Sequence, residues 1–540
     1  MLLLILHPRS PEMILSTSVQ FMNLRILLFL LVCGAMSFAE AAESLRFISR
    51  SRATPGKVIE QRVDWDASKT ALIICDMWDT HTCPNSAARV GELAPRVDAF
   101  AKALRAKGAL IIHCPSDVTK FYEGTPQRKV AQAAPPVEPK VELKRWCSLD
   151  PAKEDPLPID DTDGGCDGAT TWKKGDPYPW TRQHPAIEIA EGDAITDSAE
   201  AYYLMRQRGI KNVLISGVHL NMCVLGRPFG IRQLTAQGLN VALVRDLTDT
   251  MYNPARRPWV NHFAGTDLMV EHVEKFWCPS VSSEALLGGA QFRFAADRQP
   301  HVVFLVGDNE YETAKTVPRW AYTALEPRGI RCTYLRDDPE RAFNFPELEE
   351  LEKADALFVS LRRRGVPDRQ LAAIRRFAES GKPVLGIRTA SHAFDPKKPA
   401  LGEATWATFD RDVFGGWYQN HYGKGAVTVA RRESAAAGHP VFSGLPEGEL
   451  RFPSHLYRCR ELQAGTTLLL TATLEGKPEV SEPLAWTFEA PNRKSFYTSL
   501  GSPEDFALPA FQRLLLNGTL WALGEPIPPA EAGVVVTISR

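Results

Sequence analysis

An α/β protein of two domains, each a mostly parallel sheet flanked by helices, is the fold this sequence predicts. Three observations predict it. The chain has 540 residues, more than one hydrophobic core usually supports, since single cores stop growing near ~250–300 residues. Short apolar runs of strand length alternate with helix-like stretches, as they do where crossover helices join parallel strands. That alternation repeats on either side of about residue 290. Domains are therefore expected at 43–290 and 298–530, with a linker at 291–297 and a C-terminal tail at 531–540.

Composition narrows the partners. Lys and Arg number 63 against 64 Asp and Glu, so no charge excess calls for a nucleic acid or an anionic membrane surface. A small-molecule ligand is expected, with no cofactor.

Residues 1–42 are expected to be a signal peptide and N-terminal extension. Met22-Asn23-Leu24-Arg25 opens a short basic region, Ile26 to Cys33 is an apolar run, and Ala39-Glu40-Ala41 is an Ala-x-Ala cleavage site. The run is shorter than the ~20 residues of a membrane span. Export to the periplasm or the medium is expected, with no membrane attachment after cleavage; an uncleaved anchor is the alternative. Leaving Cys33 aside, nine cysteines remain, an odd number that keeps one thiol free even in a fully oxidised chain. Cys147 and Cys166 flank a Gly/Asp-rich stretch and could close a disulfide.

In the first unit, Thr70–Cys75 (TALIIC), Ala109–His113, Asn212–Ser216 and Asn240–Val244 have the composition of buried parallel strands. Helices are expected over 89–106, 198–208 and 225–237. Between Thr125 and Arg182 the chain is rich in Pro, Asp and Gly with little periodicity. So long an irregular stretch is usually a functional loop or lid, or else poorly ordered.

Ligands of open α/β sheets bind beyond the carboxyl ends of the strands. Three segments meet there: Asp76 to Asp79, His113 to Asp117, and Gly217 to Val224. The last is a strand, a glycine turn and a helix start carrying Cys223. A thiol at a helix N-terminus is expected to have a lowered pKa, and nearby backbone N–H groups can hold an oxyanion.

Asp76 at the end of the first strand, together with Ser216-Gly217-Val218-His219-Leu220-Asn221-Met222-Cys223-Val224, resembles the isochorismatase-like superfamily, which includes nicotinamidases and N-carbamoylsarcosine amidases. The likeness covers about 60–285. It implies a three-layer α/β/α fold in which Cys223 attacks an amide or similar carbon and Asp76 acts as general acid/base. It also implies a cis peptide at Val218–His219, and backbone N–H groups of His219 and Cys223 aimed at the oxyanion. Members of the superfamily often form homo-oligomers; no feature here fixes the state. The family lysine has no counterpart in Ala186 to Asp193. Arg182, Lys173 or Lys174 could supply a cation, with Arg182 favoured; an arginine would stabilise charge but not shuttle a proton.

Trp78, Asn221 and Arg227 are candidates to bind substrate. Arg227 and Arg232 could equally pin the long loop through salt bridges. Asp76, Asp79, His81 and Cys83 bring metal-ligand types close together, but the Asp-x-His pattern that accompanies the nicotinamidase metal is absent, and no metal is expected.

The second unit repeats the pattern, with strands expected at His301–Gly307, Ala354–Ser360, Pro383–Ile387 and Ser495–Ser499 and a last helix over 510–522. With Phe414 to Gly423 and Asn517 to Gly524, it resembles the ThuA-like proteins, of the flavodoxin-like class I glutamine-amidotransferase fold and tied to sugar utilisation. In amidotransferases the strand ending Gly-Ile is followed at once by the nucleophilic cysteine. Here Gly386-Ile387 precedes Arg388, and a guanidinium is no nucleophile. Arg388, His392 and His421 could instead bind a sugar or a carboxylate, or form a structural loop.

Two functions follow. One is an exported cysteine hydrolase of small amides or related C–N bonds. The other is a small-molecule binding protein whose two enzyme folds have lost their sites.

Overall fold

The computed structural model describes residues 43–53, 57–308, 310–338, 344–423 and 425–536. The expected leader at 1–42 lies outside them.

The first domain is built on eight strands: β1 (Ser44–Ala53), β2 (Lys57–Asp66), β3 (Thr70–Cys75), β4 (Leu110–Cys114), β5 (Ala194–Ile195), β6 (Asn212–Val218), β7 (Asn240–Asp249) and β8 (Ser280–Val281). They lie in the order β2-β1-β8-β7-β6-β3-β4-β5. The run from β8 to β5 is parallel. β1 and β2 form an antiparallel hairpin at one edge, which strand-length apolar runs do not reveal because β2 is mostly exposed.

Apolar side chains pack both faces of this sheet, as continuous hydrophobic strands require. Along β3, Ala71, Ile73 and Cys75 enter one buried cluster while Leu72 and Ile74 enter another. Helix Pro84–Ala106 covers the second face through Val90, Leu93, Val97, Phe100 and Leu104. It starts five residues earlier than periodicity suggests, with Pro84 in its first turn, where a missing N–H costs nothing. The helix expected over 225–237 is broken. A wide turn, Leu220–Val224, comes first, and a short helix, Ile231–Ala236, follows Pro228 and Gly230. Proline cannot donate to a continuing helix.

The long stretch after Thr125 carries one short helix, Pro126–Gln132, and is otherwise irregular up to β5. It is anchored all the same. Glu154 is buried and accepts from Arg232 Nε at 2.6 Å, Trp277 Nε1 at 2.9 Å and His272 Nε2 at 2.8 Å.

The second domain has a nine-stranded sheet. Its parallel part runs Arg331–Arg336, His301–Gly307, Ala356–Leu361, Val384–Ile387, Arg493–Thr498, the flavodoxin-like order 2-1-3-4-5. Antiparallel strands Lys477–Ala490, Thr466–Leu474, Thr428–Arg432 and Leu450–Phe452 extend it. Val302, Phe304 and Val306 face one core and Val303 and Leu305 the other.

Part of the expected tail is packed between the domains. Arg328 donates to the carbonyls of Gly533 and Val534, each at 2.8 Å, and Val536 is buried in the first domain's core.

Candidate functional site

The pairing of β3 with β6 places Cys75 opposite Gly217, so the residues that follow each strand emerge side by side. Gly217 has φ +102, and a Cβ there would meet the Cys75 carbonyl oxygen at 2.0 Å. Only glycine fits this crossing. The next peptide, Val218–His219, is cis.

Asp76 adopts a left-handed backbone, φ 47, a conformation kept where surrounding structure holds it. It turns the carboxylate into a fully buried position. Its Oδ1 accepts the Ser116 backbone N–H at 2.7 Å, from the segment after β4. The Cys223 thiol neighbours the same carboxylate, close enough for each to act on the other's charge. Cys223 sits on the wide turn, where the Val224 N–H reaches back to the His219 carbonyl at 3.2 Å.

One turn beyond the cysteine, Arg227 Nε lies 3.4 Å from Asp76 Oδ2. The two atoms are within ion-pairing distance but not aligned as a hydrogen bond, and neither has another hydrogen-bond partner. Arg227 also reaches Asp117 at 3.4 Å and lies over the Trp146 ring, 5.8 Å away.

The electrostatics follow from this enclosure. Burial pushes the Asp76 carboxyl up, against the pull of Arg227 and the thiol. Burial first, and the Asp76 charge second, hold the Cys223 thiol well above the ordinary thiol range. The direction is opposite to the lowering expected from a helix N-terminus, because the turn has only five residues and the largely buried thiol lies beside a carboxylate. Burial opposes the charge on Arg227, but Asp76 and its neighbours outweigh it and keep the guanidinium protonated.

Arg182, expected to replace the family lysine, is not at Asp76. It is half-exposed and faces Asp79 at 3.9 Å, because the Asp79 N–H donates to the Arg182 carbonyl at 3.0 Å, with its guanidinium over the Phe121 ring. The cation at Asp76 is Arg227, expected as a substrate contact. Four residues after Cys223, the turn brings its guanidinium back to the end of β3, a return that the order of residues does not announce. Asn221 is also placed elsewhere. Its amide donates to Asp161 at 2.8 Å and to the Met251 carbonyl at 3.1 Å, while its oxygen accepts from Met251 N at 2.9 Å. It ties the long loop to the cysteine turn, with both its amide nitrogen and its oxygen engaged.

Trp78, two residues beyond Asp76, is buried and already engaged. Its Nε1 donates to the Ser116 carbonyl at 3.0 Å, and Trp180 stacks on it at 4.4 Å. Tyr178 continues the stack at 4.2 Å from Trp180. His81 joins it 5.4 Å from Trp180, with Nδ1 accepting the Cys83 N–H at 3.1 Å. Burial, then Arg89, pushes His81 down to about 4. The imidazole is therefore neutral, and a neutral ring that accepts at Nδ1 carries its proton on Nε2. The His219 side chain turns to Ser86 Oγ at 2.6 Å.

Behind the site, Arg89 binds Asp249 at 2.7 Å and Asp167 at 2.8 Å, and His262 Nε2 meets Asp249 at 2.8 Å. Sequence reading did not find this network, since its members are spread over 174 positions of chain. Among the described residues no group of three or more His, Cys, Asp and Glu side chains is arranged to hold a metal ion.

In the second domain, Arg388 follows strand Val384–Ile387 with φ 46. It does not face a ligand. Its fully buried guanidinium donates to the Ser499 carbonyl at 2.8 Å and to His455 Nδ1 at 2.9 Å. Tyr311 and Tyr457 lie over it at 4.2 and 4.8 Å. His392 is buried against Tyr418, 4.4 Å between rings, and burial, then Arg363, pushes it down to about 3. His421 alone of the three is exposed, with its ring edge on His455 at 4.9 Å.

Comparison with known proteins bears on this second domain. Residues 301–522 match the ThuA family model, described as trehalose utilisation. No curated protein matches the chain. Among solved structures, a ThuA-like protein from Parabacteroides merdae is 15% identical, with 44% of this chain and 98% of that one covered and a TM-score of 0.31. A cysteine hydrolase from Pseudomonas syringae pv. phaseolicola is 13% identical over 41% of this chain and 91% of its own, at a TM-score of 0.26. A carbohydrate deacetylase, Agd3, is 11% identical over 42% of this chain and 32% of its own, at 0.29. Likenesses at this level say nothing about chemistry. Residues 301–522 are thus similar to the ThuA family, on a sheet of flavodoxin-like order.

Proposed function

We propose that the first domain is an isochorismatase-like cysteine hydrolase of small amides or related C–N bonds, with Cys223 as nucleophile, Asp76 as general acid/base and Arg227 as the cation. One observation carries this reading: a single buried carboxylate contacts both a thiol and a guanidinium beyond the ends of β3 and β6.

The chemistry starts from a protonated thiol. As sulfur bonds to the amide carbon, its proton passes to Asp76, and the backbone N–H groups of His219 and Cys223 receive the oxyanion. Asp76 then protonates the leaving nitrogen, the C–N bond breaks and a thioester remains. Water attacks the thioester, again losing its proton to Asp76, and the acid leaves as the thiol is restored. Arg227 holds the Asp76 charge throughout and moves no proton.

For the ThuA-like domain we propose a non-catalytic role, because the residue at the nucleophile position is a guanidinium closed inside the protein. Export is the proposed setting, on the residue pattern of 22–41. The test is ammonia release from a panel of small primary amides, with Cys223→Ala as control and mass spectrometry for an acyl adduct on Cys223. Ammonia dependent on Cys223 supports the hydrolase. No ammonia and no adduct across the panel would leave two binding domains on enzyme folds.

A further inference from the structure

A second pair of thiols lies beside the Cys223 site. Cys83 is the residue from which helix Pro84–Ala106 starts, and its side chain is fully buried. Cys166 comes from the long irregular stretch, is only partly buried, donates its thiol to the Gly168 carbonyl at 3.3 Å and neighbours the Cys83 thiol.

Bonds between the flanking residues hold this contact. Thr170 Oγ1 donates to the Thr82 carbonyl at 2.6 Å. Asn85 Nδ2 donates to the Asp167 carbonyl at 3.1 Å, and Arg89 reaches the Asp167 carboxylate at 2.8 Å. The Cys83 sulfur itself is 3.6 Å from Asp167 Oδ1. Residues 82–89 and 166–170 are therefore laid against each other, with Cys83 and Cys166 each next to a residue that makes one of these ties. Cys147, the partner expected for Cys166, is engaged elsewhere: its thiol faces Gln233 Oε1 at 3.3 Å and its N–H donates to the Gly226 carbonyl at 2.7 Å.

We infer that Cys83 and Cys166 are a disulfide-forming pair whose oxidation tethers the long loop to the helix beside the Cys223 site. The oxidant is a small-molecule disulfide such as oxidised glutathione. Cys166, the more accessible, attacks one of its sulfurs as a thiolate and expels one glutathione thiolate. Cys83 then attacks the Cys166 sulfur of the mixed disulfide and expels the second. Two protein thiols are oxidised, one glutathione disulfide is reduced to two thiols, and the two protein protons end on those thiols or in solvent.

The tether acts on the site because the loop does. Asp161, five residues before Cys166, holds Asn221 of the cysteine turn. Burial, then the neighbouring Cys83, pushes the Cys166 thiol up to about 11, so exchange quickens as pH rises. The inference stands apart from the chemistry proposed for Cys223.

The test uses the full chain, purified reduced and then exposed to oxidised glutathione at about pH 9. Remaining thiols are blocked with N-ethylmaleimide, and the protein is digested without reduction for mass spectrometry. The expected product is a peptide pair joining Cys83 to Cys166, lighter than the two thiol peptides by the lost hydrogens. The oxidised protein should also melt a few degrees above the reduced one. Cys166→Ser should abolish both results and Cys147→Ser neither. Recovery of Cys83 and Cys166 as maleimide or glutathione adducts, or Cys166 joined to Cys147, would overturn the inference.

Discussion

Arg227 Nε stands 3.4 Å from Asp76 Oδ2, four residues beyond Cys223 and across the sheet from the end of β3. The pair joins the turn that carries the thiol to the end of the strand that precedes the carboxylate. Asp76 is wholly buried and the Arg227 side chain is 21% exposed, so the carboxylate depends on the guanidinium for charge balance.

Removing that guanidinium should therefore be costly. Arg227→Ala leaves a buried carboxylate without its cation and should destabilise the first domain by about 3 kcal/mol. It should also abolish the ammonia release proposed above. Arg182→Ala, at a half-exposed side chain, should change stability by no more than about 0.5 kcal/mol. Denaturant titration of both variants checks the contrast; equal losses would put the cation back at Arg182.

Reactivity and catalysis should part company at Asp76. The carboxylate raises the Cys223 thiol, so Asp76→Asn should lower it and speed iodoacetamide labelling at about pH 8. The same change removes the proton acceptor and should reduce turnover by about 100-fold or more. Wild-type labelling should stay slow at neutral pH and rise in alkali. Fast labelling of the wild type at neutral pH would contradict the burial of this thiol.

Gly217→Ala should prevent the first domain from folding. The added Cβ would lie 2.0 Å from a backbone oxygen of β3, and backbone cannot swing away as a side chain can. A loss above about 4 kcal/mol is expected, read as insoluble expression or a missing thermal transition.

Glu154 gives the loop anchor a pH dependence. Burial opposes its charge, but His272, Arg232 and Trp277 outweigh burial and hold it down to about 2. A depressed carboxyl pKa contributes stability above its ordinary value of about 4.3, and that contribution is lost as pH falls through the folded value. The shift corresponds to about 3 kcal/mol. Glu154→Gln should lose about that much at neutral pH and flatten the stability profile between about pH 5 and pH 2. Urea midpoints across that range provide the measurement.

Much of the fold was legible in the chain. Thr70–Cys75 and His301–Gly307 run over the same residues as sequence and as strand, because a strand buried on both faces must be apolar throughout. The β1–β2 hairpin was not legible, since one face of it meets water and its residues are mixed. Cys223 and Asp76 were legible as neighbours because they follow β6 and β3, two apolar strands whose ends lie side by side.

Sequence by itself determined the two α/β domains and the Asp76–Cys223 pair, since strand patterning and a short motif are local properties. Tertiary structure decided the rest. It chose Arg227 over Arg182, turned Asn221 to the loop, closed Arg388 inside the second domain and set Cys166 against Cys83. Each of these depends on which distant segments share a few ångströms of space and on how completely they exclude water, and neither quantity is written in the order of residues along the chain.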